Sequence, residues 1–158
     1  PKKAFYSLHL PFNLGIIIPE KENIMGLKIK IFSPGKVKEA WLQNALDEYE
    51  KRLSGTCVIE WNFQTLPEKG PYICLDPKGD SLSSPEFSRF LYNQLEHWGS
   101  RLTFVIGGPE GLPQKILEKA SYILSFSKMT FTHQQVRLLL IEQIYRGIQI
   151  RKRSPYHK

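Results

Sequence analysis

Several stretches of this chain carry residue types and spacings suited to chemistry. Gly107-Gly108-Pro109-Glu110-Gly111 follows an unbroken apolar run and precedes a short helical pattern. Glycines so close together permit positive φ and let backbone N–H and C=O groups approach a ligand. In parallel sheets ligands bind beyond the carboxyl ends of the strands, where this loop is expected. The loop has neither GK[ST] nor GxGxxG, so it is no P-loop and no dinucleotide fingerprint; a plain tight turn is the competing reading. Leu75-Asp76-Pro77-Lys78-Gly79 is a second strand-end segment, readable as a site or as an Asp-Pro turn. Ser125 to His133 (SFSKMTFTH) is a polar junction in which Thr132 or Thr130 can cap a long helix. On that helix Arg137, Glu142 and Arg146 are the charges before its end. Glu142 and Arg146 have the favourable i, i+4 order for an ion pair, and charges on an otherwise apolar helix point to a cleft or an interface. From Gln143 to the end come five basic residues and no acid, closing on Ser154-Pro155-Tyr156-His157-Lys158. That tail reads as a solvated terminus, or as a phosphate-binding arm in which Tyr156 stacks on a base and His157 moves a proton.

Alternating strands and helices position these segments. Leu27, Ile29 and Ile31 alternate with Lys28 and Lys30, a period-two strand. Lys36 to Leu53 is predicted as an amphipathic helix with Val37, Ala40, Trp41, Ala45, Tyr49 and Leu53 on its apolar stripe. Cys57 to Phe63 alternates as a second strand, and Tyr72 to Leu75 is a short third strand ending at Asp76. Ser84-Pro85-Glu86 starts a helix, with Ser84 as the cap, and Gly99 stops it. Leu102 to Ile106 is continuously apolar, as in a strand buried on both faces. A short helix at Pro113 to Ala120, a strand at Tyr122 to Phe126 and a long helix at Gln134 to Ile150 complete the chain. Apolar residues occupy most of that last helix's circumference, so it is expected to be deeply buried or in an interface. The alternation predicts an α/β layer with a mostly parallel sheet.

The 158 residues are 41% hydrophobic and 23% charged, as in an ordinary globular protein. No apolar run approaches the length of a membrane span. Lys and Arg number 22 against 15 Asp and Glu, a net charge of +7; such an excess favours a polyanionic partner, nucleic acid first. Cys57 and Cys74 have neither CxxC spacing nor neighbouring His, and there is no zinc set, HExxH or other metal motif, so no metal is expected. They read as buried small residues in a reducing, cytoplasmic protein. Pro1 to Ile24 lacks the uninterrupted apolar core and cleavage site of a secretory leader. It reads as an extension ahead of one domain, 25–158, that begins at Met25-Gly26.

Taken together, TFVIGGPEGLP from Thr103, LSFSKMTFTHQQVRLLLIEQIYRG, the ending SPYHK, CLDPKGDSLSSPEF and the opening MGLKIKIFSPGKVKEAWLQNALDEYEKRL resemble the RlmH branch of the SPOUT methyltransferases. The resemblance covers nearly all of 25–158. It implies a parallel α/β sheet whose C-terminal segment is threaded into a trefoil knot, a rare exception to the rule against knots. It implies S-adenosylmethionine as cofactor, held by Leu75, Asp76, Gly107, Gly108, Ser127, Lys128, Met129, Thr130, Phe131 and Thr132. The implied reaction is methylation of N3 of a pseudouridine in the helix 69 loop of 23S ribosomal RNA, within the assembled ribosome. The implied assembly is a homodimer whose cleft is completed by the partner's tail. His133, Arg137, Glu142 and Arg146 are then the candidate cleft residues, with Tyr156 and His157 reaching in from the partner and His157 a candidate base. A catalytically inactive, ribosome-binding relative is the alternative.

The chain also departs from that family. Between Leu53 and Leu75 it is shorter by roughly one helix and its loops. Part of one sheet face is therefore expected to lack cover, unless Pro1 to Ile24 supplies it. Ser154 stands where the family often has His, which weakens any role at that position and leaves Pro155-Tyr156-His157 intact.

Overall fold

The computed structural model describes residues 26–158. Any cover supplied by residues 1–24, and the start at Met25, lie outside the described residues. The element order is β1 (Leu27–Phe32), α1 (Ala40–Leu53), β2 (Cys57–Asn62), β3 (Ile73–Ser81), α2 (Ser84–Trp98), β4 (Arg101–Ile106), α3 (Gln114–Lys119), β5 (Tyr122–Ser125) and α4 (His133–Arg151). All strand pairs are parallel, in the order β2-β1-β4-β3-β5, so the α/β parallel sheet expected from the sequence is present.

Period-two alternation sends Leu27, Ile29 and Ile31 into one core with Leu102, Phe104 and Ile106. Leu42 and Leu46 of α1, Phe87 and Leu91 of α2, and Leu140, Ile141 and Ile144 of α4 cover that face. A smaller cluster lies on the opposite face, where Phe32, Tyr72, Cys74 and Val105 meet Ile116 and Leu117 of α3. The apolar α4 is thus buried within its own chain, under α1 and α2. Gly147 lets it come close: a Cβ there would sit 3.4 Å from a methyl of Leu91, and Ser88 Oγ donates to Gly147 O at 2.7 Å.

Local structure differs from the sequence expectation at four places. α1 begins at Ala40, after Glu39 takes an extended conformation, and Lys36 O before it accepts from Gln134 Nε2. Its buried stripe is Leu42, Leu46 and Leu53, whereas Trp41 stays 56% exposed; both stripes have helical spacing, and the branched leucines fill the contact with the sheet. β3 does not end at Leu75. It bulges at Asp76–Gly79, where Asp76 Oδ1 accepts from Lys78 N, and resumes by pairing Asp80 with Leu124 and Ser81 with Ser125. Gly79 permits this, since a Cβ there would lie 2.5 Å from Ile123 O. The cap of α2 is Ser83, one residue early, in a reciprocal capping box with Glu86.

Both cysteines are buried and free, and burial pushes each thiol up to about 12. They behave as small apolar residues, as expected. No helix among the described residues is long and apolar enough to cross a membrane.

Candidate active site

The carboxyl ends of β3, β4 and β5 open into a cleft of about 340 Å³, a size suited to a small-molecule ligand. Leu75, Asp76 and Pro77 form one wall, the Ile106–Leu112 loop a second, and Phe126, Ser127, Met129, Thr130, Phe131, His133 and Val136 a third. These are the segments whose residue types first suggested chemistry, although they lie far apart in the chain. Parallel strands put all their carboxyl ends on one side, which brings them together.

Each wall has a local cause. Gly107 is required by contact: a Cβ there would lie 2.6 Å from the carbonyl carbon of Gly111. Gly108 O accepts from Gly111 N at 2.9 Å, and Gly111 takes φ +77°, closing the loop. At Gly108 itself a Cβ would meet nothing within 4 Å. The third wall is folded by Ser125 Oγ donating to Ser127 O and by Ser127 Oγ accepting from Met129 N. Thr132, rather than Thr130, caps α4. Its Oγ1 accepts from Gln135 N, and Gln135 Oε1 accepts from Thr132 N.

Of the residues implied for the cofactor, Leu75, Asp76, Gly107, Gly108, Ser127, Met129, Thr130 and Phe131 line the cleft. Lys128 is exposed outside the lining and Thr132 serves as the helix cap. Ile106, Leu112 and Val136 also line the cleft without a signal in the sequence, because a buried strand end and a ligand wall look alike in a hydrophobic pattern. The lining combines those apolar groups with two carboxylates, Asp76 and Glu110.

The candidate catalytic residues divide into separate places. His133, the first residue of α4, lines the cleft. Its pKa lies below the usual 6.5, first through burial and then through the charge of Arg137. A helix N-terminus also disfavours an imidazolium. A depressed folded-state value means that the neutral ring's contribution to stability is present above pH 6.5 and is lost as pH falls through the folded value. The expected outcome is that His133→Gln flattens the loss of stability as pH falls below about 6.5 in urea titrations; an unaltered pH profile would show that other groups govern it.

Arg137 is not in the cleft. It is fully buried beneath β1 and its guanidinium clasps the turn that follows. Nε donates to Ser33 Oγ (2.7 Å), Nη1 to Gln134 Oε1 (2.7 Å), and Nη2 to Ser33 O (2.8 Å) and Gly35 O (2.6 Å). The Phe63 ring lies 4.9 Å away. With these donors engaged inside the protein, Arg137 holds α4 against the turn after β1.

Glu142, Arg146, Tyr156 and His157 form a cluster of their own. Arg146 donates to Glu142 Oε1 through Nε (2.9 Å) and Nη2 (2.7 Å), the i, i+4 pair expected from the sequence. Arg153 takes φ +53°, and the tail turns back along α4. Tyr156 Oη then donates to Glu142 Oε1 (3.1 Å) and its ring meets Tyr145 edge-on at 4.8 Å. His157 Nδ1 lies 3.3 Å from Arg146 Nη1. The Tyr156 hydroxyl is pushed well above its usual value by burial, then by hydrogen bonding to Tyr49 and the charge of Glu142. It is protonated at neutral pH and is a donor, not a base.

The model for "Predicted SPOUT methyltransferase" matches residues 62–157. Among curated relatives, "Ribosomal RNA large subunit methyltransferase H" of Protochlamydia amoebophila (strain UWE25) is 49% identical over 140 residues, covering 84% of this chain and 99% of that protein. A protein of the same name from Clostridium botulinum (strain Hall / ATCC 3502 / NCTC 13319 / Type A) is 41% identical over 159 residues, with 84% and 100% covered. The crystal structure of a probable methyltransferase from Bordetella pertussis Tohama I superposes with a TM-score of 0.52 at 10% identity, covering 80% of this chain and 98% of that one. A probable methylase family protein from Haemophilus influenzae Rd KW20 gives 0.51 at 10% identity, covering 87% and 71%. These two speak to the fold alone. The family match across most of the chain, and identities near one half over almost the full length of a relative, lead to one statement: this chain belongs to the SPOUT methyltransferases, in the ribosomal RNA large subunit methyltransferase H family.

Proposed function

We propose that this protein methylates N3 of a pseudouridine in the helix 69 loop of 23S ribosomal RNA, within the assembled ribosome in the cytoplasm, using S-adenosylmethionine. The observation that carries the reading is the cleft at the ends of β3, β4 and β5, in a chain of this family. Its residues fit the cofactor. Gly108 leaves open space where a side chain would stand, apolar groups suit an adenine, and Asp76 and Glu110 suit a cationic sulfonium and amine. When bound, S-adenosylmethionine supplies an already activated methyl group, which passes to N3 while the N3 proton leaves.

The protein's part is to align N3 and to receive or relay that proton. Alignment alone is worth several kcal/mol. Backbone groups of the 107–111 loop and of 126–132 hold the ligand, and the 126–132 segment belongs to the knotted part of the chain. Residues 25–158 form one catalytic domain, with 1–24 ahead of it.

The active unit is a homodimer. His133 lines the cleft, whereas Glu142 and Arg146 lie roughly 14–20 Å further along the same helix by its rise per residue. One chain therefore does not bring both groups to one atom, and a second copy supplies the Glu142–Arg146–Tyr156–His157 cluster. His157 is the candidate base. The expected outcome of mixing Gly108→Trp chains with chains truncated after Arg153, each inactive alone, is recovery of part of the turnover, because one hybrid site is complete. If no mixture recovers activity, the tail works within its own chain.

The reaction is tested by methyl transfer from labelled S-adenosylmethionine to ribosomes lacking the mark, followed by mapping of the modified nucleotide. Label at the helix 69 pseudouridine is expected. Label on free transfer RNA instead would overturn the substrate, and ribosome binding without any cofactor binding would leave an inactive, RNA-binding relative.

A further inference from the structure

The sheet face opposite α1, α2 and α4 is only partly covered. α3 protects it over β3, β4 and β5. Over the first halves of β1 and β2, and the start of β4, no helix covers it among the described residues. Register places Val58, Lys28 and Arg101 in one row and Glu60, Lys30 and Thr103 in the next. Lys28, Lys30, Glu60 and Arg101 are exposed, and Val58 is 51% exposed. Lys30 Nζ sits 4.9 Å from the centroid of the Phe32 ring, which carries the patch toward the covered half. The clostridial relative aligns over 159 residues against about 133 of this chain, whereas the Protochlamydia relative aligns over 140. The Protochlamydia relative thus aligns with fewer gaps against this chain than the clostridial one.

Three cations and one carboxylate share this patch, and none of the cations has an ion-pair partner among the described residues. Like charges side by side on a sheet repel, so the face suits an anionic partner. A second copy meeting it about a two-fold axis would bring the same cations. Residues 1–24 carry Lys2, Lys3 and Lys21 against Glu20 and Glu22, the rest being uncharged residues and His9, and offer no net negative charge. At the amino ends of the strands the edge of the sheet meets the end of α4. Lys152 Nζ donates to Thr56 Oγ1 at 3.0 Å, and Thr56 O accepts from Leu27 N, beside Lys28.

We propose that this open sheet face, with Lys28, Lys30 and Arg101, binds the phosphate backbone of ribosomal RNA. The proposal deepens the function proposed above and rests on it. Phosphate contacts hold register and orientation without reading sequence, so the face steadies the ribosome while the cleft acts on one base.

The test uses the full chain and purified ribosomes lacking the mark, with affinity measured across a salt series. In the variant Lys28→Gln/Lys30→Gln/Arg101→Gln, affinity is expected to fall about tenfold or more and the slope of log affinity against log salt to become shallower by about 2. S-adenosylmethionine affinity should not change. Glu60→Lys, which needs no side chain removed from the core, is expected to tighten binding and steepen the slope. A triple variant that binds ribosomes like the parent, with the same slope, overturns the proposal. Unchanged binding with a lower melting temperature would make the face a seat for residues 1–24, and unchanged binding with an altered oligomeric state would make it a contact between copies; either also overturns it. If the parent itself does not bind ribosomes, the substrate reading fails first; if only the variant's behaviour departs from expectation, the face alone is lost.

Discussion

Gly108→Trp should weaken S-adenosylmethionine binding by about a hundredfold or more, a loss of about 2.7 kcal/mol, while the melting temperature stays within a few degrees of the parent. The two halves of that result have separate causes. A Cβ at Gly108 meets nothing within 4 Å, and Gly108 has no positive φ to strain a larger residue. The fold therefore accepts the side chain. Gly108 lines the cleft, so an indole there is expected to take up part of its volume of about 340 Å³. Gly107→Ala should behave in the opposite sense. Its Cβ would press on the backbone of Gly111 and Leu112, so the loop must shift and stability falls along with affinity. Titration calorimetry with thermal melts of both variants separates blocking from distortion. If Gly108→Trp binds the cofactor normally, the ligand does not sit between β3, β4 and β5.

Arg137→Met should cost about 3–5 kcal/mol of folding stability, measured by urea unfolding, a size reserved for a broken buried network. The chain buries this guanidinium completely without a carboxylate partner among the described residues. Burial lowers its pKa to about 10, which still leaves it charged at neutral pH. Carbonyl oxygens of Ser33 and Gly35, the Ser33 hydroxyl and the Gln134 amide compensate the charge instead. Methionine fills the volume but leaves those acceptors without donors, at about 1–3 kcal/mol for each one that water does not reach. Arg137→Lys should recover only part of the loss, since one ammonium cannot span the fork of contacts. The folded fraction of Arg137→Met should also bind cofactor more weakly, because the clasp anchors the helix start from which His133 and Val136 face the cleft. A loss below about 1 kcal/mol would mean that the clasp contributes no more than an ordinary surface contact.

Much of this protein is legible in its sequence where the controlling physics is local. Period-two alternation fixes which residues of β1 and β2 face the core. Glycine and the Ser and Thr caps place the ends of α2 and α4 to within a residue. Glu142 and Arg146 announce their pair by spacing alone. The glycine loop, the Asp76 segment and the Ser127–Thr132 junction stand out as polar or glycine-rich breaks at strand ends, and a parallel sheet gathers such breaks on one side. Less local features are read less well. The strand at Leu75 resumes beyond its bulge because β5 offers pairing partners, which no window around Asp76–Gly79 contains. In α1 two stripes have helical spacing, and only the shape of the sheet surface selects Leu42 and Leu46 over Trp41.

The sequence by itself determined the α/β class, the site-bearing loops, the buried cysteines and the basic balance, since composition, periodicity and turn chemistry act over a few residues. Tertiary structure decided the rest. It turned Arg137 from a candidate cleft residue into a clasp on Ser33–Gly35, about a hundred positions earlier in the chain. It separated His133 from Glu142 and Arg146 by roughly 14–20 Å along α4, and it left Lys28, Lys30 and Arg101 together on a face that no described helix covers. Each of these depends on pairings between distant segments, and the spacing of residues along a chain does not say which distant segment a side chain will meet.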